Sequence, residues 1–280
     1  MKKLLKEILY RMPPKTAHKI LYYYTFKKRL NLKNPQNFNE KLQYLIVNEY
    51  DEVQTRLADK YLLHKYIDEK GYNELLPKLY GVYDNADEIN FDELPNKFVL
   101  KTNHGSGEIF VCKNKNKFDI EKTKEKLNKS LKTNFAKQSL EYHYAKIKPK
   151  IICEQYLEDG KNELPIDYKF YCFNGKADCI LICSNRSEKL KLDYYDLNWS
   201  KKDYSTKEYK SGKDFEKPKN LEKMIEIAEK LSKEFKFVRV DLYNINGKIY
   251  LGELTFTPAA GLIKYNTDEA LNRWGKMLKL

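Results

Sequence analysis

Val238-Arg239-Val240-Asp241-Leu242, followed after a short interval by Gly252-Glu253-Leu254-Thr255, is the stretch on which the rest of the chain turns. Both halves alternate with the period of two that marks strands, and Ile245-Asn246-Gly247 lies between them as a hairpin turn. Val238, Val240 and Leu242 take one face of the first strand, and Arg239, Asp241 and Tyr243 take the other.

The turn decides whether the two acids meet. A two-residue Asn246-Gly247 loop pairs Asp241 with Gly252 and sends Glu253 to the opposite face. A three-residue Ile245-Asn246-Gly247 loop sets Arg239 opposite Glu253 and puts both acids on one face, at a diagonal of about 7–8 Å. Two carboxylates so placed can share a hard cation through their oxygens. A half-solvated hairpin also carries an acid on each strand without any site, so the pair alone leaves both readings open.

Composition narrows the classes. The chain of 280 residues is long enough for one large domain or two lobes, and 41% hydrophobic with 14% aromatic residues excludes wholesale disorder. Its net charge of +13 invites nucleic acid, but six of 53 basic residues are Arg and the lysines lie among 40 acids without a dominant block. No nucleic-acid partner is therefore expected. The cysteines 112, 153, 172, 179 and 183 show no CxxC pair and no disulfide spacing, which fits reduced thiols in the cytoplasm. The four histidines offer no zinc pattern. No run is long enough to span a bilayer. The opening segment reads as basic amphipathic helices ending near Leu30. Their aromatic face suits packing on the main domain, or peripheral contact with the inner face of the cell membrane.

Further along, helical spacing marks residues 38–46 and a single helix over 53–70, with a short strand within 75–83. The strand Lys97-Phe98-Val99-Leu100-Lys101 runs into Thr102-Asn103-His104-Gly105-Ser106-Gly107. Such a glycine-rich turn exposes N–H groups that can cradle phosphate, and an ordinary hairpin tip looks the same. It is not a Walker loop, because the lysine precedes the glycines. Helical sequence over 119–145 leads to Ile151-Ile152-Cys153-Glu154-Gln155-Tyr156-Leu157. Asp167-Tyr168-Lys169-Phe170, a turn at Asn174-Gly175, Arg186 and a helix over 221–235 follow.

The order of these pieces resembles the ATP-grasp superfamily, most nearly its teichuronopeptide-biosynthesis, TupA-like branch. The resemblance is carried by Phe38-Asn39-Glu40-Lys41, Ala58-Asp59-Lys60-Tyr61, the 97–107 segment, Asp167-Tyr168-Lys169-Phe170 and Gly252-Glu253-Leu254-Thr255. It implies an α+β fold of two lobes whose antiparallel sheets clasp the nucleotide, preceded by N-terminal helices. The expected divisions are amphipathic helices over 1–33 and a helical lead-in over 34–95. A lid subdomain over 96–157, a catalytic subdomain over 158–263 and a terminal helix over 264–280 complete them.

The same resemblance implies ATP and Mg2+ as cofactors. Lys101 would contact phosphates, with His104, Gly105, Ser106 and Gly107 folding over them. Glu154 would meet the adenine amino edge beside Gln155, Tyr156 and Leu157, and Asp167 would meet the ribose. Asp241, Glu253 and Thr255 would hold magnesium, although many relatives have Asn where Thr255 stands. Arg239, Lys169, Arg186 and His104 would act on the transferred group, His104 either as a base toward an amine or as a loop cap. The implied reaction is ligation of a sugar or amino-acid carboxylate to an amine acceptor through an acyl phosphate, in synthesis of a capsule or other cell-surface polysaccharide. A sugar phosphotransferase on the same fold and a glycosyltransferase of that pathway are the alternatives.

Overall fold

The computed structural model of the chain describes residues 3–49, 51–105, 109–158, 160, 165–184 and 189–280. They form two compact units, one built from residues 1–50 and 165–280 and the other from 51–164.

The first unit begins with helices α1 (Lys3–Tyr10), α2 (Pro14–Phe26) and α3 (Phe38–Asn48). Pro14 opens α2, where its missing N–H costs nothing. A capping box starts α3: the Asn37 side chain accepts from the Glu40 N–H at 3.0 Å, and Glu40 accepts from the Asn37 N–H in return.

In the second unit, the single helix expected over 53–70 is two helices, α4 (Glu52–Ala58) and α5 (Lys60–Glu69). Asp59 breaks the run, because its carboxylate accepts from the Tyr61 and Leu62 N–H groups at 2.9 and 3.2 Å and so caps α5. Four strands follow: β1 (Leu79–Tyr83), β2 (Phe98–Thr102), β3 (Ile109–Cys112) and β4 (Ile151–Gln155), ordered β1-β4-β2-β3 and antiparallel throughout. Between β3 and β4 the helical sequence divides into α6 (Ile120–Leu131), a short α7 (Phe135–Ser139) and one 3-10 turn at Tyr142–Tyr144. Leu140, at φ 63°, ends α7. Phe98, Leu100, Ile151 and Cys153 point to one side of this sheet, into a core with Phe91, Leu94 and Leu127. The alternate residues Lys101 and Glu154 therefore face the other way.

The chain then returns to the first unit as β5 (Asp167–Phe173), β6 (Lys176–Ser184), β7 (Lys191–Asp196) and β8 (Lys201–Lys202). Helix α8 (Leu221–Ser232), strands β9 (Phe237–Ile245) and β10 (Lys248–Thr255), and helix α9 (Asp268–Met277) complete it. The six strands form an antiparallel sheet in the order β10-β9-β5-β6-β7-β8. Helix α8 packs on one face through Met224, Ala228 and Leu231. On the other face the Phe38 ring of α3 sits among Tyr171, Phe173, Phe237 and Trp274, with centroids 4.9–6.4 Å apart. A buried aromatic in such a cage is worth about 3–5 kcal/mol against alanine. Beyond Tyr171 this second face changes from aromatic to charged, and there the site begins.

Candidate active site

The hairpin at the sheet edge follows neither of the two simple registers. Asn246 and Gly247 both have positive φ, 53° and 92°, and make a two-residue turn that pairs Ile245 with Lys248 and Leu242 with Leu251. Continued regularly, that register would oppose Asp241 to Gly252. Instead the ladder shifts between Leu251 and Glu253, with Gly252 as the extra residue of a bulge, and Asp241 pairs directly with Glu253. A Cβ at Gly252 would lie 2.9 Å from the Tyr243 ring and 3.3 Å from the Asp241 carbonyl oxygen, so glycine suits the bulge on steric grounds. The acids thus share a face as neighbours rather than across the expected diagonal.

Three successive rungs on this face of the sheet carry the charged groups, the first through Asp167 of β5, which pairs with Tyr243. Lys169 on β5 pairs with Asp241, which pairs with Glu253; Tyr171 pairs with Arg239, which pairs with Thr255. The Arg239 guanidinium grips Asp241 with two parallel bonds, Nε to Oδ1 and Nη2 to Oδ2, both 2.7 Å. The same Nη2 reaches Glu253 Oε1 at 3.1 Å and Thr255 Oγ1 at 3.0 Å. Lys169 Nζ sits between Asp241 and Asp167, 2.6 Å from Asp167 Oδ2. Asp241 is 1% exposed, whereas the Glu253 side chain is 41% exposed at the sheet edge.

Burial raises the Asp241 carboxyl to about 6 against the pull of Arg239 and Lys169, which leaves it ionised at neutral pH. Burial alone would lower Lys169, but Asp241 and Asp167 outweigh it and hold the ammonium above its ordinary range.

Three carboxylates face two cations here, so the cluster retains one negative charge. One oxygen from each of Asp241, Glu253 and Thr255 converges on a single nitrogen of Arg239, where a positive centre already stands. Among the described residues no three His, Cys, Asp or Glu side chains converge as a metal site. Magnesium does not require that many, since it is held by one or two carboxylates together with phosphate oxygens and water. Two carboxylates and a hydroxyl, all hard donors with residual negative charge, fit that ion.

The second unit carries its own cluster on the sheet face opposite its core. Lys101 pairs with Ile152, one diagonal from Glu154, and its Nζ lies 2.5 Å from Glu154 Oε2. His64 of α5 holds the other oxygen, Nε2 to Oε1, at 2.9 Å. Burial would raise the Glu154 carboxyl, but Lys101 and His64 hold it down at about 2. Both carboxylate oxygens, assigned from the sequence to an adenine edge, are thus engaged by protein cations or N–H groups.

The stem of the glycine-rich turn is tied down at several points. Asn103 donates its N–H to the Lys150 carbonyl at 3.0 Å, while its side chain receives the Lys150 N–H at 2.7 Å and donates to the Lys148 carbonyl at 3.0 Å. Lys60 donates its backbone N–H to the Asn103 carbonyl and its ammonium to the Gly105 carbonyl, at 3.0 and 2.7 Å. Gly105 has φ 68°, and a Cβ there would fall 2.4 Å from the Phe135 ring. His104 Nε2 bonds the Thr133 carbonyl at 3.1 Å and must therefore carry the proton, which leaves Nδ1 with a lone pair and no hydrogen-bond partner among the described residues. Burial lowers the pKa of this imidazole, so it is neutral at pH 7.

Of the residues singled out from the sequence, Arg239, Lys169, Asp167, Asp241, Glu253 and Thr255 come together on one sheet face. Lys101 and Glu154 meet on another, with His104 and Gly105 in the loop stem. Gln155 closes β4, its N–H donating to the Lys78 carbonyl at 2.8 Å, and Tyr156 and Leu157 follow. Arg186, Ser106 and Gly107 lie outside the described residues. Sequence reasoning assigned no role to His64 and Lys60, one helical turn apart on α5. The i, i+4 spacing beside the capping Asp59 was the available signal.

A family model described as TupA-like ATPgrasp matches residues 40–279 of the chain. No curated protein matches it. Among solved structures, it is similar to D-alanine–D-alanine ligase from Bacillus anthracis complexed with ATP, at 15% identity and a TM-score of 0.41, over 79% of this chain and 57% of that one. A second structure of that ligase gives 16% identity and a TM-score of 0.46, over 86% and 66%. The ATP-grasp ligase PsnB, complexed with minimal precursor, Mg and ADP, gives 10% and 0.39, over 78% and 57%. The chain thus spans less than two thirds of the length of each of these proteins.

Proposed function

Because the chain belongs to the TupA-like ATP-grasp family, we propose that it is an ATP-dependent ligase that joins a carboxylate to an amine through an acyl phosphate. The carboxylate belongs to a sugar or an amino acid, the amine is its acceptor, and the product enters a capsule or other cell-surface polysaccharide. The enzyme works in the cytoplasm, at the inner face of the membrane.

The observation that carries this reading is the Lys169–Asp241–Glu253 rung with Arg239 and Thr255 beside it. Transfer of a γ-phosphoryl group onto a carboxylate needs alignment and positive charge around the equatorial oxygens more than covalent help. Arg239 and Lys169 supply that charge from side chains whose positions are fixed by buried carboxylates, so little reorganisation is needed when substrate arrives. Asp241, Glu253 and Thr255 would hold magnesium, which when bound neutralises phosphate charge and orients the phosphates. Lys101 takes phosphate oxygens, exchanging Glu154 for them, and Lys60 steadies the loop that covers them.

In the first step a substrate carboxylate oxygen bonds to the γ-phosphorus as the bond to the ADP oxygen breaks. In the second the amine nitrogen bonds to the acyl carbon, phosphate leaves, and the amine gives up a proton. Nδ1 of His104 is enclosed and its Nε2 is held by the Thr133 carbonyl, which suits this residue to capping the loop, so the amine proton passes to water.

The test is ADP release from Mg-ATP with candidate uronic or amino acids and amines, singly and in pairs, with product mass as the second readout. The reading requires both substrates together and an amide product. ADP release with a sugar alone, giving a phosphorylated sugar, would replace it with a phosphotransferase.

A further inference from the structure

The net charge of the chain is placed unevenly although its lysines are not. The first 33 residues hold ten basic side chains and one acid, Glu7, and so carry +9 of the total +13. Helix α2 is anchored by one side only. Ala17, His18, Leu21 and Tyr22 are buried, and His18 Nδ1 donates to Gln43 Oε1 of α3 at 2.6 Å. Gln43 in turn donates to the Ala260 carbonyl, at 2.8 Å, in the turn that follows β10. The opposite side of α2 presents Lys15, Lys19, Ile20, Tyr23, Tyr24 and Lys27 to solvent, with Lys27 over the Tyr24 ring at 5.2 Å. On α1, Leu4 and Ile8 stand one turn apart; together with Tyr23 and Tyr24 they are all more than half exposed.

We propose that this outward face of α1 and α2 is a docking surface for an anionic lipid membrane. Leu4, Ile8 and Ile20 would enter the headgroup boundary, Tyr23 and Tyr24 would lie at its depth, and Lys15, Lys19 and Lys27 would meet lipid phosphates. Each feature matches what such a surface selects: apolar side chains interleaved with cations, and aromatic rings with a polar tip. No helix among the described residues is long and apolar enough to cross a bilayer, so docking is on the surface. A second copy of the chain is a poor occupant, since a self-complementary contact would set two strongly positive faces together. The bond through Gln43 joins this face to the turn after the acid-bearing strand, which places the catalytic sheet at a fixed height above the lipid.

The inference deepens the inner-membrane placement proposed above and does not depend on the ligase chemistry. It is tested by sedimentation of the full chain with vesicles of phosphatidylcholine alone or with about one third phosphatidylglycerol, at about 0.1 M and about 0.5 M salt. Binding is expected only with the anionic lipid and should weaken at high salt. The triple variant Lys15→Glu, Lys19→Glu, Lys27→Glu should lose at least about a hundredfold in partitioning. Tyr23→Ser with Tyr24→Ser should lose about tenfold.

Both variants should keep the wild-type urea midpoint, and their ADP release in solution should be unchanged. Equal binding to neutral vesicles, no binding to anionic ones, or variants that bind like the wild type would overturn the proposal. A wild-type dimer that the triple variant fails to form would overturn it as well. Vesicle binding by a chain that releases no ADP would leave the docking surface standing and remove only the ligase reading.

Discussion

Replacing Glu154 by glutamine removes one charge from the Lys101–Glu154–His64 cluster while keeping its shape. The carboxyl is held at about 2 rather than 4.5, and the pair is nearly out of solvent, with Glu154 6% and Lys101 16% exposed. At 1.36 kcal/mol per pKa unit, ionised Glu154 contributes about 3 kcal/mol at neutral pH. A carboxyl whose folded pKa is depressed gives stability that is complete above its unfolded value and is lost as pH falls through the folded one. The contribution should therefore shrink to about 1.5 kcal/mol near pH 3. Urea unfolding of the wild type and Glu154→Gln at pH 7, 4.5 and 3 reads this directly. The gap between the two proteins should be widest at pH 7 and about half as wide at pH 3. The double variant Lys101→Met, Glu154→Gln leaves no unmatched buried charge and should recover about 1–2 kcal/mol over the single one. A gap that does not change with pH, or a double variant worse than the sum of the singles, would refute the account of this cluster.

Other consequences are as specific. Asn246→Ala places a β-carbon residue of poor left-handed propensity at φ 53° and should cost the hairpin about 1 kcal/mol in urea unfolding, whereas Asn246→Gly should be nearly neutral. His143 is buried and its imidazole is pushed down to about 4 by burial. Its unfolded form takes a proton first, so stability present above pH 6.5 is lost as pH falls toward 4, by about 3 kcal/mol. A His143→Gln variant should show a flatter profile across that window. Lys60→Met removes the 2.7 Å tie to the Gly105 carbonyl and should raise KM for ATP by about tenfold with a smaller change in stability.

Much of this architecture could be read from alternation and turn chemistry, because those signals are local. The strands at β5, β6, β9 and β10 show their period of two, Asn246-Gly247 names its own turn, and Phe38 opens a helix behind a capping asparagine. Asp59 was equally legible as a cap, but the hydrophobic spacing on either side of it looked continuous and masked the break. The bulge at Gly252 leaves only one trace, a glycine inside a strand, and its consequence is large: it moves Glu253 from beside Leu251's face to Asp241's. The partners of Glu154 could not be read at all. His64 reaches it from a helix 90 residues earlier, and nothing in the local sequence of either residue specifies that contact. Charge was misleading in the same way, since counting lysines hid the scarcity of acids in the first 33 residues, where Glu7 stands alone against ten basic side chains.

Asp241, Glu253 and Thr255 are the proposed magnesium ligands for phosphoryl transfer, and a magnesium titration reads that assignment without an intermediate step. ADP release would be followed at fixed ATP with saturating carboxylate and amine, in the wild type and in Glu253→Gln, a variant of the more exposed of the two acids. The account predicts that the magnesium concentration for half-maximal rate rises by at least about tenfold while the fold, read by urea midpoint, is retained. A Glu253→Gln enzyme with the wild-type rate and the wild-type magnesium midpoint would contradict it.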